Sequence, residues 1–171
     1  MPRFVALLRG INVGGKKKVE MATLKTALEK AGLAEVQTLL NTGNVIFEAP
    51  KATAAGLETV LEKTFGFAIP VILRSASAIE ELAKADPFKG VKADENTRLY
   101  ITFLTEKPAS KTPPKSEDKS FRILKVTDGE VVSVLQLDPE HRTVDAMAII
   151  EKTYGKKVTT RNWNTVLKLL A

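Results

Sequence analysis

At 171 residues the chain is long enough to bury a core, and it suits one domain or two small ones packed together. Charged residues at 27% and hydrophobic residues at 44% give a soluble globular composition, while a net charge of +6 and a pI near 9.5 permit anionic partners without requiring them. The absence of cysteine excludes disulfides, thiolate catalysis and cysteine-based zinc or iron–sulfur sites. The N-terminal apolar run, Phe4 to Leu8, is too short for a signal sequence or a membrane span, so a cytoplasmic protein is expected.

Phe4 to Leu8 reads as a strand buried on both faces. After a glycine-rich loop, Met21, Leu24, Leu28 and Ala31 recur at helical spacing, and Gly32 ends that helix. Val36–Leu40 and Asn44–Ala49 are strands, and Asn41-Thr42-Gly43 between them has the composition of a hairpin turn. A second helix carries Leu57, Val60, Leu61 and Thr64 on one face and stops before Gly66, and Ile69–Arg74 is a fourth strand. Strand, helix, strand, strand, helix, strand is the split βαβ order of a ferredoxin-like unit.

The second half repeats the theme in weaker form. Ser77 and Glu80 form a capping box for a short helix closed by Pro87, and Arg98–Leu104 is an alternating strand. Thr105 to Lys119, rich in Lys, Pro and Ser, reads as an exposed loop. Two strands flank Asp128-Gly129, a strong hairpin signal; Val144, Met147, Ile150 and Tyr154 mark a helix closed by Gly155. A short strand ending in Thr159-Thr160 precedes a last helix with Trp163, Val166, Leu167 and Leu170 on one stripe, and Thr159 or Thr160 is its expected N-cap. The predicted fold is α+β, with two tandem ferredoxin-like lobes of antiparallel sheet covered by helices. They span 1–75 and 76–171, the second a degraded copy with a C-terminal helix.

Two segments concentrate polar chemistry. Gly10, Gly15 and Lys16 match a phosphate-binding loop, but Lys17 stands where a Mg²⁺-binding hydroxyl belongs. Lys18-Val19-Glu20 separate the lysines from the helical stripe, and the strand ending at Leu40 leads to Asn41 rather than an aspartate. These departures argue against a nucleoside triphosphatase. The glycines serve a tight crossover and the lysines stay solvated in one reading; in the other, Arg9 and Lys16–Lys18 hold an anion whose charge relieves their mutual repulsion. The second segment is Thr159-Thr160-Arg161-Asn162-Trp163-Asn164, in which donors crowd an expected helix start. Trp163 heads the apolar stripe and is a core residue in this reading. His141, the only histidine, lies in a turn beside Pro139 and Glu140 with no serine elbow or carboxylate pair to use it, and no metal-ligand spacing occurs. No cofactor or metal is expected, and Glu29, Glu58, Glu62 and Glu81 read as solvated helix faces.

Three strings, "FVALLRGINVGGKKKVEMATLKTALEKAGL", "VQTLLNTGNVIFEA" and "TTRNWNTVLKLL", closely resemble the bacterial domain of unknown function 1697 family, in that family's order and across nearly the whole chain. The resemblance implies a duplicated ferredoxin-like α+β architecture and no established activity. Lys107 to Lys119 and "LDPEHRTVDA" fit the family pattern less well.

A binding module for a phosphate-bearing ligand, nucleic acid or a nucleotide-like metabolite, is the leading expectation. Its candidate ligand-binding residues are Arg9, Asn12, Lys16, Lys17, Lys18, Asn44, Arg161 and Asn162, with Arg161 or Asn162 expected within reach of the Arg9–Lys18 loop. An enzyme with its site between the lobes, built on Arg9, Asn12, Asn44 and Arg161, ranks lower for want of a base or nucleophile, so no catalytic residue is assigned. A regulatory scaffold working through protein contacts is the third class, since apolar strands such as Phe4–Leu8 need both faces covered. Membrane association is not expected, and oligomeric state is not indicated.

Overall fold

Two four-stranded antiparallel sheets organise the chain. The computed structural model describes residues 1–40, 42–115, 119–140 and 144–170, so Asn41 of the first expected turn and His141 lie outside the described residues. The first sheet is built from β1 (Arg3–Leu8), β2 (Ala34–Leu39), β3 (Asn44–Glu48) and β4 (Val71–Ser75) in the spatial order β2-β3-β1-β4. Helix α1 (Met21–Lys30) connects β1 to β2, and α2 (Ala54–Phe65) connects β3 to β4. After α3 (Ala76–Lys84), β5 (Thr97–Leu104), β6 (Phe121–Val126), β7 (Glu130–Gln136) and β8 (Val158–Asn162) form the second sheet in the order β6-β7-β5-β8. Helix α4 (Ala146–Tyr154) lies between β7 and β8, and α5 (Trp163–Lys168) follows. The two orders are the same, with β5 in the place of β1, but among the described residues no helix joins β5 to β6. Two compact units result, Met1–Glu81 with the residues from Leu169 onward, and Leu82–Lys168. Their division falls inside α3.

Alternation along β1 explains its continuous apolar run. Phe4, Ala6 and Leu8 join Val45, Phe47, Leu24, Leu28, Leu57 and Leu61 beneath α1 and α2. Val5 and Leu7 point to the opposite face and are fully buried as well. Phe4 sits directly opposite Phe47 in the ladder, and their rings stack at 5.6 Å. Burying each such side chain is worth roughly 1.5–3 kcal/mol, so this layer is the main cohesive element of the first unit. Helix ends follow local chemistry: the Thr53 hydroxyl accepts from the Gly56 amide at 3.0 Å to start α2, and Gly66, at φ 82°, ends it.

Three local expectations need correction. The hydroxyl at the start of α3 belongs to Ser75, which accepts from the Ala78 amide at 3.2 Å, and not to Ser77; β4 runs straight into the helix and its last residue takes the cap. Likewise Thr159 and Thr160 are strand residues. Pairing with β5 extends β8 through Arg161 (opposite Ile101) and Asn162 (opposite Tyr100), so the cap of α5 is Asn162. Leu167, placed on the apolar stripe by spacing, is 42% exposed, because the short helix turns Thr165 and Val166 inward instead.

Both hairpins form, though with different turns. Leu39 lies opposite Asn44 across the first, and Gly43 there adopts φ 92°. A Cβ on Gly43 would come within 2.8 Å of both the Leu8 Cβ and the Ile11 Cδ1, so only glycine fits on steric as well as conformational grounds. In the second hairpin neither Asp128 nor Gly129 has a positive φ. That turn is held by Thr127, whose hydroxyl accepts from the Glu130 amide at 3.0 Å and donates to the Glu130 carboxylate at 2.6 Å.

Gly43→Ala is expected to lower unfolding free energy by about 2 kcal/mol or more, combining left-handed strain with a backbone-anchored clash. Gly14→Ala, at φ 57° with nothing within 4 Å of its Cβ, is expected to cost only about 1 kcal/mol. Urea denaturation of the two variants checks the ordering. Ser133 provides a second check. Its Oγ is buried with no hydrogen-bond partner among the described residues, so Ser133→Ala is expected to be neutral or to stabilise by about 1 kcal/mol in the same assay.

Candidate functional site

The loop from Arg9 to Val19 leaves the end of β1 and is held by its own backbone. The Leu8 amide donates to the Gly43 carbonyl at 2.8 Å and the Arg9 amide to the Pro70 carbonyl at 3.0 Å, which fixes the loop between the β2–β3 turn and the entry to β4. Further out, the Asn12 amide donates to the Lys17 carbonyl and the Lys16 amide to the Val13 carbonyl, both at 3.0 Å. Gly14 and Gly15 occupy the tip with φ 57° and 75°, the positive pair of a tight hairpin turn. The segment is thus a miniature hairpin, where the spacing of Gly10, Gly15 and Lys16 had raised a phosphate-loop reading.

Asn12 is the clasp of this hairpin. Its amide nitrogen donates to the Val19 carbonyl at 3.0 Å and its amide oxygen accepts from the Val19 N–H at 2.8 Å, a two-point bond that closes the base. Val19 and Ile11 are buried beside it. Asn44, also a candidate ligand residue, is fully buried, and its amide nitrogen donates to the Leu39 carbonyl at 2.7 Å and the Thr42 hydroxyl at 3.0 Å. Both asparagines shape the end of the sheet. Residues 13–18 are all exposed, and no carboxylate pairs with Lys16, Lys17 or Lys18 among the described residues. Lys17 holds φ 50°, a left-handed conformation unusual for a lysine.

Arg161 and Asn162 belong to the second unit and occupy the other end of their own sheet. Asn162 lies opposite Tyr100, near the start of β5, whereas the lysine hairpin leaves the finish of β1. The Arg161 guanidinium donates to the Thr159 hydroxyl at 2.6 Å and the Thr160 carbonyl at 3.1 Å, and burial pulls its pKa down to about 10. Burying that cation costs stability below pH 10, and the cost is relieved as the pH rises past it. Asn162 Oδ1 accepts from both the amide and the hydroxyl of Thr165 at 2.9 Å. Trp163 is half-buried and packs its ring against Phe88 with centroids 5.3 Å apart, edge to face.

An internal repeat explains this arginine. Val71-x-x-Arg74-Ser75 ends β4 as Val158-x-x-Arg161-Asn162 ends β8. Arg74 donates to the preceding carbonyl, Leu73, at 3.0 Å, as Arg161 does to Thr160. The next residue caps a helix in each case, and the fourth beyond it, Ile79 or Val166, is fully buried. In the ladders Arg74 faces Val5, and Arg161 faces Ile101. The signal was present in the sequence as a repeated string, which reading one element at a time passes over.

Arg161→Ala is expected to cost about 2–3 kcal/mol of stability by removing a hydrogen-bonded buried group, while the remaining folded protein keeps any polyanion affinity within about twofold. Thermal unfolding and a binding titration on one preparation separate the two effects.

Comparison with known proteins adds the family. No curated protein matches. Among solved structures, the conserved bacterial protein SP0830 from Streptococcus pneumoniae is similar, with a TM-score of 0.70 and 26% identity over 98% of this chain and 96% of that chain. The family model described as a protein of unknown function (DUF1697) matches residues 1–132, and the chain belongs to that family.

Proposed function

We propose that the protein is a binding module for a phosphate-bearing polyanion, gripped by Arg9 and Lys16–Lys18 at one end of the first sheet. The observation that carries this reading is a run of three exposed lysines on a hairpin whose base is clasped by Asn12, rather than on a slack loop. Three ammonium groups held close on a fixed turn repel one another, and a bound anion removes that cost. Lys17 adds weight: glycine would relieve its backbone strain, so a lysine kept there speaks for a use of its charge.

The projecting shape favours an extended phosphate backbone, as in nucleic acid, over a small nucleotide-like metabolite. Residues 13–18 are all exposed and enclose nothing. Base stacking on the first sheet is disfavoured as well. Phe4 and Phe47 stack on its helix-covered face, and Val5, Leu7 and Ile46 on the other face are buried. Recognition in this reading runs through phosphates, so it is tolerant of sequence and sensitive to salt. Asn12 and Asn44 then position the cations, and Arg161 with Asn162 is a strand end and helix cap. The strand orders also support the finer architecture: two ferredoxin-like lobes, the second having lost its first helix.

Replacing Lys16, Lys17 and Lys18 by Ala is expected to weaken oligonucleotide binding while leaving the unfolding midpoint nearly unchanged. The slope of log affinity against log salt is expected to shrink by roughly 0.7 to 0.9 for each lysine that touches a phosphate. Unchanged affinity in the triple variant would remove the hairpin from the site, and a wild-type protein that binds no polyanion would remove the function.

A further inference from the structure

Among the described residues the second unit has no helix between its first two strands, where the first unit has α1, and a cavity of about 320 Å³ lies beside that connection. It lies between residues 104–114 and the last turn of α4, with Leu104, Pro108, Pro114 and Tyr154 among its walls. Prolines stiffen the strap over it, because each fixes one backbone torsion. Tyr154, at the end of α4, lines the cavity from the other side, and burial pushes its phenol pKa up. The volume stands at the small end of the roughly 300–1,000 Å³ range of ligand sites, which suits a single ring.

Charge at the mouth is selective. Lys111 pairs with Asp128 at 3.0 Å and Lys157 with Glu106 at 3.5 Å, so each of these cations already has a carboxylate. Lys107 lines the cavity and pairs with no carboxylate within ion-pair distance among the described residues, although its charge helps to lower the pKa of Asp128 after the larger effect of Lys111. The Ser110 hydroxyl oxygen accepts from the Thr112 amide at 3.1 Å, which leaves its proton to donate into the cavity, and the Thr153 hydroxyl lies on the opposite wall. Glu106 also lines the cavity, and with its charge offset by Lys157 the remaining cation, Lys107, and the neutral hydroxyls match a single negative charge with two acceptor oxygens, whereas a phosphate calls for several cations or clustered amides.

We propose that this cavity binds a small monocarboxylate carried on a flat apolar ring, the ring between the prolines and Tyr154 and the carboxylate on Lys107 and Ser110. The site is independent of the lysine hairpin in the first unit, so either can fail alone. Benzoate titrated into the full-length protein, followed by amide chemical shifts, tests it, with benzyl alcohol and phenyl phosphate as controls.

Saturable shifts centred on Ser110, Thr112, Thr153 and Tyr154 are expected, at millimolar benzoate. Lys107→Ala is expected to weaken binding about three- to fivefold, the size of one exposed charge contact, with the rest of the spectrum unmoved. Ala109→Trp, which fills the cavity from the exposed strap, is expected to abolish the shifts. No saturable shift up to about 20 mM benzoate overturns the proposal, since a fragment of this size binds in the millimolar range. Benzyl alcohol binding as tightly, phenyl phosphate binding more tightly, or shifts that map to residues 9–18 overturn it equally.

Discussion

The pairing of β1 along both of its edges is the constraint from which the first unit follows. Once β3 occupies one side and β4 the other, the chain leaving Leu8 has a single exit, between the Gly43 and Pro70 carbonyls that receive the next two amides. Backbone groups at such a crowded end must find partners, because an unpaired buried N–H costs about as much as a lost hydrogen bond. The close approach at Gly43, the clasp at Asn12 and the outward placement of the lysines are consequences of that exit. A charged loop at the end of a free edge strand would have no comparable restraint.

Period and punctuation made the strands and helices readable. Leu24 and Leu28, or Leu57 and Leu61, carry a helical period that nothing nearby contradicts, and Gly32 and Gly66 end those helices because positive φ is cheap only for glycine. The α+β class and the hairpin positions followed from the same signals. Where strand meets helix without a loop, local chemistry was ambiguous. Thr159, Thr160 and Asn162 are all good caps, and only the ladder to β5 decides which one serves. Division inside α3 was likewise invisible, since a continuous helix carries no mark of which unit each turn joins.

Candidate site residues were legible as residue types but not as roles. Asn12, Asn44, Arg161 and Asn162 stand out because amides and guanidinium groups bind ligands; the same groups also satisfy the backbone, and here Asn12, Asn44 and Arg161 donate to carbonyls while the Asn162 oxygen accepts from the Thr165 amide. Arg74 makes the same bond to its preceding carbonyl as Arg161 does, but Ile72 stands where Thr159 offers Arg161 a hydroxyl, so its string looks plain. The duplicated pattern gives Arg161 a structural role, in its bonds to the Thr159 hydroxyl and the Thr160 carbonyl. Lysines 16–18 differ in having no such internal employment among the described residues.

The place of the first strand in each sheet has a consequence for biosynthesis. β1 emerges from the ribosome before either of its neighbours, and its second edge stays open until β4 has been made, at Ser75. For β5 the wait is of the same order, from Leu104 to the end of β8. Its outer partner β8 ends at Asn162, so the second sheet closes only after β6, β7 and α4 have been made. A nascent apolar strand with an open edge is a template for wrong pairing, and both units carry that burden: β1 stays unpaired on one side through the synthesis of α1, β2, β3 and α2, and β5 through that of β6, β7 and α4.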